Sequence, residues 1–421
     1  MTTLRPRAPT SLHESGLDIG ILTPLALKIL HHSGHMSERA IAGRLGLGLP
    51  IVTELLKFLL KENLCEVTGG QGETIGGSQY TLTTKGLERA TTALATSGYV
   101  GPAPIPVADY IAQVKKQSVQ GIDFDREKVE GSLSHLVLSD ETRELIGQAL
   151  SSKQSFLLYG ASGNGKTSAA IGLRDATPGE IIIPYAIQFM REIIQIFDAS
   201  AHELVELPGD KRDESGALLD GRWVVIKRPV LLVAGELAAN QLELMLDDVH
   251  KTYDAPVQMK ANGGILIIDD FGRQQLDAAY LLNRWVTPLE RQIDYLSLHS
   301  GARLEIPFDV IPIFVSNRKP AELADEAFLR RIRYKIEITS PDRGQFIEIL
   351  RRECEAHGIA YNDSAAEYLL EHEYGNGRRE MRGCHPRDLV DAIADAAEYQ
   401  GTESAFTHVT VKQAARRYFV S

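Results

Sequence analysis

Gly160-Ala161-Ser162-Gly163-Asn164-Gly165-Lys166-Thr167, with Ser168 next, is the stretch that decides the fold of this 421-residue chain. It follows an apolar, strand-like run at 154–159 and opens a segment of helical periodicity, so it occupies a strand-to-helix turn. The glycine spacing and the closing Lys-Thr match the pattern of a phosphate-binding loop. Glycine lets backbone N–H groups curl toward phosphate oxygens with no Cβ in the way, and the helix that begins there turns its partial positive end to them. Lys166 is placed to reach the β and γ phosphates of a nucleoside triphosphate, and Thr167 to offer its hydroxyl to Mg2+. ATP with Mg2+ is the ligand expected at 160–168.

Gly264-Ile265-Leu266-Ile267-Ile268-Asp269-Asp270 is the second element, an apolar run suited to a central buried strand and ended by two carboxylates. Ligands of open parallel sheets sit beyond the C-terminal strand ends, which puts both acids near the phosphates. Asp269 suits the Mg2+ side, and Asp270 the place of a general base that polarises the attacking water. A strand at 308–315 ends in Ser316-Asn317, Ala327-Phe328-Leu329-Arg330-Arg331-Ile332 carries paired arginines, and His385-Pro386-Arg387-Asp388-Leu389 opens a helix in a helical tail.

Together these residues resemble the AAA+ ATPases, from just ahead of the phosphate loop to the C-terminal region. The resemblance implies an α/β P-loop NTPase with a parallel sheet and a helical lid. Asn317 would be the first sensor, helping to place the hydrolytic water. Arg330 or Arg331, not separable by sequence, would reach the γ-phosphate of a neighbouring subunit. Arg387 would be the second sensor, coupling that phosphate to lid closure. More narrowly, Gly101-Pro102-Ala103-Pro104, Lys260-Ala261-Asn262-Gly263-Gly264 and Asp269-Asp270-Phe271-Gly272-Arg273-Gln274 look like a group of bacterial AAA+ ATPases described as chaperone-like. The implied assembly is a homo-oligomer, by family habit a hexameric ring.

Around this core, residues 1–100 outline a winged helix-turn-helix. The segment 23–32 is a first helix, Ser37 caps a second, Pro50 opens a third, and 65–67 pairs with 80–82 around the glycine-rich tip 69–77. The prolines that follow predict an extended linker over 101–130. Residues 131–340 form the large α/β subdomain and 341–421 the lid, read as three helices. Lys166 and Asp269 stand 103 residues apart, so an insertion is expected, β-rich and near 181–230, with an exposed acidic loop at 198–221. A hairpin from 293–298 and 303–306 precedes the sensor strand, where several AAA+ lineages point one at the ring channel.

Composition narrows the rest. Forty-five Lys and Arg against 56 Asp and Glu give a net charge of -11, which argues against a broad electrostatic grip on nucleic acid. Three scattered cysteines suggest neither disulfides nor zinc, and no apolar run approaches the roughly 18 residues of a membrane helix. A cytoplasmic protein without membrane insertion is expected. A protein client is one expected partner. DNA, held through residues 20–100, is the other; the first 100 residues carry nine Lys or Arg and eight Asp or Glu, and the third helix offers only Thr53, Glu54 and Lys57 outward.

Overall fold

Fully apolar strands demand cover on both faces, and the protein supplies it around one five-stranded parallel sheet. The computed structural model describes residues 5–68, 78–205, 212, 215–249, 251–274, 276–324, 326–375 and 378–419. The sheet runs in the order Val230–Val233, Gly264–Ile268, Val310–Ser316, Phe156–Tyr159, Tyr334–Glu337. Gly264–Ile268 and Val310–Ser316 are buried at every residue, which is why they read as unbroken apolar runs. One face is covered by helices Arg126–Ser132, Asp140–Ser151 and Lys166–Ala176; the other packs on Phe271, Leu281 and Trp285. Phe156–Tyr159 lies between the two strands that follow the insertion in sequence, so the loop after it opens at the reversal of strand order where ligands of such sheets bind. The chain therefore has the α/β P-loop NTPase fold.

The C-terminal region is a helical lid with its own core, centred on Phe346, Leu350, Leu389 and Val390. Among the described residues it has four α-helices rather than three helices, Arg343–Ala356, Asp363–Leu369, Cys384–Gln400 and His408–Tyr418, the second running into a π-helix at Leu370–Tyr374. The last carries little sequence signal, because its buried face is only Val411, Ala414 and Ala415.

The N-terminal region has helices Ile19–Ser33, Glu38–Leu45, Leu49–Lys61 and Thr84–Thr96. A small antiparallel sheet joins them, with Gln79–Leu82 between Met36–Ser37 and Cys65–Thr68. The Ser37 hydroxyl accepts the Ala40 N–H at 3.2 Å, the expected cap. The expected tip, 69–77, lies outside the described residues.

Two expectations about organisation need correction. Residues 101–130 are not a linker. Ile105–Pro106 pairs in parallel with Ile187–Gln188 at a sheet edge, where proline's missing donor does no harm, and the next helix, Val107–Lys116, buries Tyr110 and Val114. Extended proline-bearing chain is what an edge strand needs, so composition could not tell the two apart. The insertion also reaches past 230. Glu180–Pro184 pairs with Trp223–Lys227, and a mixed five-stranded sheet runs Met245–Asp247, Thr252–Asp254, Glu192–Gln195, Ala186–Phe189, Ile105–Pro106. Between these parts Val230–Val233 serves the central sheet.

The N-terminal region docks on the insertion. Gly46, at φ +67° after its helix, lies so close to Gly221 that a Cβ on it would stand 2.6 Å from the Gly221 carbonyl carbon. Arg222 is buried beside Asp220, pairs with it at 2.8 Å and donates to the Ser15 carbonyl at 2.9 Å. The end of the loop expected to be exposed is thus an interface. The hairpin Ile293–Ser297 with Arg303–Pro307 forms as expected, but it buries Leu296, Leu304 and Ile306 in one core with Tyr110 and the insertion's Ile187 and Ile194.

Candidate functional site

Three positive-φ glycines shape the loop: Gly160 at +137°, Gly163 at +84° and Gly165 at +85°. A Cβ on Gly160 would stand 2.3 Å from the Ile338 carbonyl oxygen, and one on Gly163 2.4 Å from Cys384 Sγ. Helix Lys166–Ala176 starts directly after the loop with no side-chain cap, leaving its first amides available to an anion. Lys166 is 5% exposed and its ammonium donates to the Ala161 carbonyl at 2.8 Å. Burial lowers its pKa, while Asp269 and Asp270 oppose that shift.

Both carboxylates sit where Gly264–Ile268 ends. The Asp269 N–H continues the sheet by donating to Val233 O at 2.8 Å, and its Oδ1 accepts the Asp270 N–H at 2.8 Å. Asp270 has φ +50°, a left-handed conformation uncommon for a residue with a side chain. Across from it, Asn317 Nδ2 stands 3.5 Å from Asp270 Oδ1. Ser316 is buried and donates to Phe271 O at 2.6 Å, so Asn317 is the polar group of that strand end that meets the acids.

A cavity of about 370 Å³ joins these groups, lined by residues 162–168, Asp269, Asp270 and Asn317, and closed on the lid side by Gln345, Arg352, Glu353 and Arg387. Arg387 is exposed and donates to Asp388 Oδ1 at 2.9 and 3.1 Å. Burial raises the Glu353 pKa and Asp391 adds to it, while Arg387 opposes. Arg330 and Arg331 do not line this cavity. Arg331 pairs with Glu290 at 2.8 Å with its side chain 16% exposed, whereas Arg330 is exposed. Sequence reasoning missed the wall formed by Leu136, Val137 and Leu138, whose only signal is a short apolar run ahead of the Ser139 cap. It also missed Gly383 and Cys384.

The residues fit a Mg2+-bound triphosphate. Side chains at Gly160 and Gly163 would collide with their neighbours, and a cation and two carboxylates share one opening. Among the described residues no group of three or more His, Cys, Asp or Glu could hold a metal ion. Mg2+ commonly takes one or two protein groups together with phosphate oxygens, and Thr167 and Asp269 offer those.

The family model of a domain of unknown function (DUF8689) matches residues 342–417, the lid. No curated protein matches the chain. Among solved structures the chain is similar to the Thermotoga maritima RuvB Holliday junction branch migration motor, at 14% identity over 70% of each chain with a TM-score of 0.34. A point mutant of that protein matches at 14% identity over 72% of each chain, TM-score 0.36. NtrX from Brucella abortus matches at 12% identity over 76% of this chain and 58% of that one, TM-score 0.36. At these TM-scores the likenesses are loose, and the reading of the site rests on its own residues. Among the described residues no helix is long and apolar enough to cross a membrane.

Proposed function

We propose that this chain is an AAA+ ATPase that works as a homo-oligomeric, hexameric ring and couples ATP hydrolysis to the remodelling of a protein client. The observation that carries the reading is convergence: the glycine loop, Lys166, Asp269, Asp270, Asn317 and the lid's Arg387 border one cavity although they come from distant parts of the chain. Loop amides and Lys166 bind the β and γ phosphates. Thr167 and Asp269 would hold Mg2+, which offsets phosphate charge. Asp270 accepts a proton from the attacking water, and Asn317 orients that water beside it. Arg330 or Arg331 approaches the same phosphates from a neighbouring subunit, which accounts for their absence from their own chain's cavity.

Client contact is assigned to the N-terminal winged-helix module and the insertion docked on it. Arg222, held by Asp220, donates to the Ser15 carbonyl across their contact, which favours movement as one body. On helix Leu49–Lys61 the Thr53 hydroxyl has Glu38 Oε1 and Leu49 O as alternative acceptors for its one proton, so one of the few polar groups that could read a base edge is engaged within the module. That favours a protein client over DNA. The test is phosphate release by the full chain with and without Mg2+, beside Lys166→Ala. Mg2+-dependent turnover lost in the variant is expected, and no nucleotide affinity in the wild type sinks the reading. A salt-sensitive shift of duplex DNA by the full chain would instead support the DNA-directed form of the same ATPase.

A further inference from the structure

In a phosphate-binding loop the residues between the glycines are free in type as far as the phosphates are concerned, because backbone amides do the binding. Here one of them, Asn164, is committed elsewhere. Asn164 is 7% exposed, and both ends of its amide are used on the lid side. Its Oδ1 accepts the Gly383 N–H at 3.2 Å, and its Nδ2 donates to Ser340 Oγ at 3.2 Å. Ser340 donates to Glu380 Oε1 at 2.6 Å, Glu380 pairs with Arg382 at 3.4 Å, and Arg382 donates back to the Ser162 carbonyl at 3.0 Å. The result is a closed ring of polar contacts running from the loop through Ser340 into the lid segment just ahead of helix Cys384–Gln400 and back to the loop. The backbones meet as well: a Cβ on Gly383 would stand 3.1 Å from the Gly163 carbonyl oxygen.

We propose that Asn164 and Arg382 are positioning residues that fasten the lid segment leading into helix Cys384–Gln400 to the phosphate loop, so that the loop keeps its phosphate-accepting shape only while the lid is seated. The inference rests on the ATPase reading and adds a route between nucleotide and lid that does not pass through Arg387. A loop with three positive-φ glycines has little to hold it from within, and ordering it at the moment of binding weakens affinity. The ring supplies that order beforehand. Because these contacts hold the same two segments in one network, its members act as a unit and their losses do not add.

The experiment compares ADP affinity and ATP turnover of the full-length wild type with Asn164→Ala, Arg382→Ala, the double variant and Arg382→Lys. Each alanine variant is expected to bind ADP about tenfold more weakly, the double variant no worse than either single, and Arg382→Lys close to wild type because it keeps a donor for Ser162 O. Affinities within twofold of wild type in both single variants overturn the proposal, and so does a double variant whose loss is the product of the two. Hydrogen exchange of the Gly383 amide in nucleotide-free protein gives a readout independent of nucleotide. It should quicken in Asn164→Ala and in Arg382→Ala, and unchanged rates overturn the proposal. Wild type that binds no nucleotide overturns the ATPase reading instead, and exchange alone then reports whether the ring exists.

Discussion

Replacing Gly160 with alanine tests whether the loop and the lid-side strand are held as closely as their contacts require. The residue has φ +137°, and its new Cβ would stand 2.3 Å from the Ile338 carbonyl oxygen. An ordinary contact needs the gap to widen by roughly 1 Å. Ile338 is joined to the neighbouring strand by its N–H, which donates to Tyr159 O at 2.8 Å, and a shift of that size breaks the bond. The lost bond costs about 0.5–1.5 kcal/mol and the unfavourable backbone conformation about 1–3 kcal/mol. A total of about 1.5–4.5 kcal/mol is expected, all of it at the mouth of the cavity. With several separate cores the chain need not unfold in one step, so the local measure is hydrogen exchange of the Ile338 amide, read beside ADP affinity. The amide's opening free energy should fall by that amount and affinity by at least about tenfold. Gly43→Ala is the control. Gly43 lies within helix Glu38–Leu45 with nothing within 4 Å of its Cβ position, so the change should stabilise by about 0.5–1 kcal/mol. Unchanged exchange and affinity in Gly160→Ala would refute the close approach.

Three further outcomes follow from the site. Asp270→Asn keeps the shape beside Asn317 but removes the base, so turnover should drop by about 10²–10⁴ with ATP affinity within twofold; an equal fall in both assigns Asp270 to binding. Arg330→Ala should lower turnover by about 10³ at unchanged affinity, since its side chain is exposed and outside its own cavity. Arg331→Ala should first loosen the contact with Glu290, and a larger catalytic loss there would exchange the two roles. His385 is buried against Tyr374, and desolvation, helped by Arg382 and Arg379, pushes its pKa down to about 4. The unfolded chain binds that proton from about pH 6.5, so lid stability is complete above 6.5 and falls by up to about 3 kcal/mol as the pH drops toward 4. Near-ultraviolet circular dichroism should show this slope, and His385→Phe should flatten it; an unaltered slope would clear His385 of the effect.

Most of the candidate site was legible in the chain because its parts are short, local patterns. The loop 160–168 and the run ending in Asp269-Asp270 each state a strand, a turn and a chemical group within ten residues, and Ser37 and Pro50 mark helix starts in the same way. What lay beyond reading were contacts between segments far apart in sequence. Ile105–Pro106 became a strand only because Ile187 and Gln188 offered an edge. The sequence could say that Arg330 and Arg331 were candidates, but only burial against Glu290 set one apart from the other.

The amino-acid order thus dictated the glycine-bent loop, the acids across from it and the kind of sheet that carries them, since glycine φ freedom and strand periodicity are properties of neighbouring residues. Tertiary structure alone decided that the proline-rich stretch belongs to a sheet, that the N-terminal module sits against the insertion, and that Asn164 faces the lid rather than the solvent. Those outcomes depend on which surfaces meet, and a partner more than two hundred residues away, such as Gly383 for Asn164, leaves no local trace.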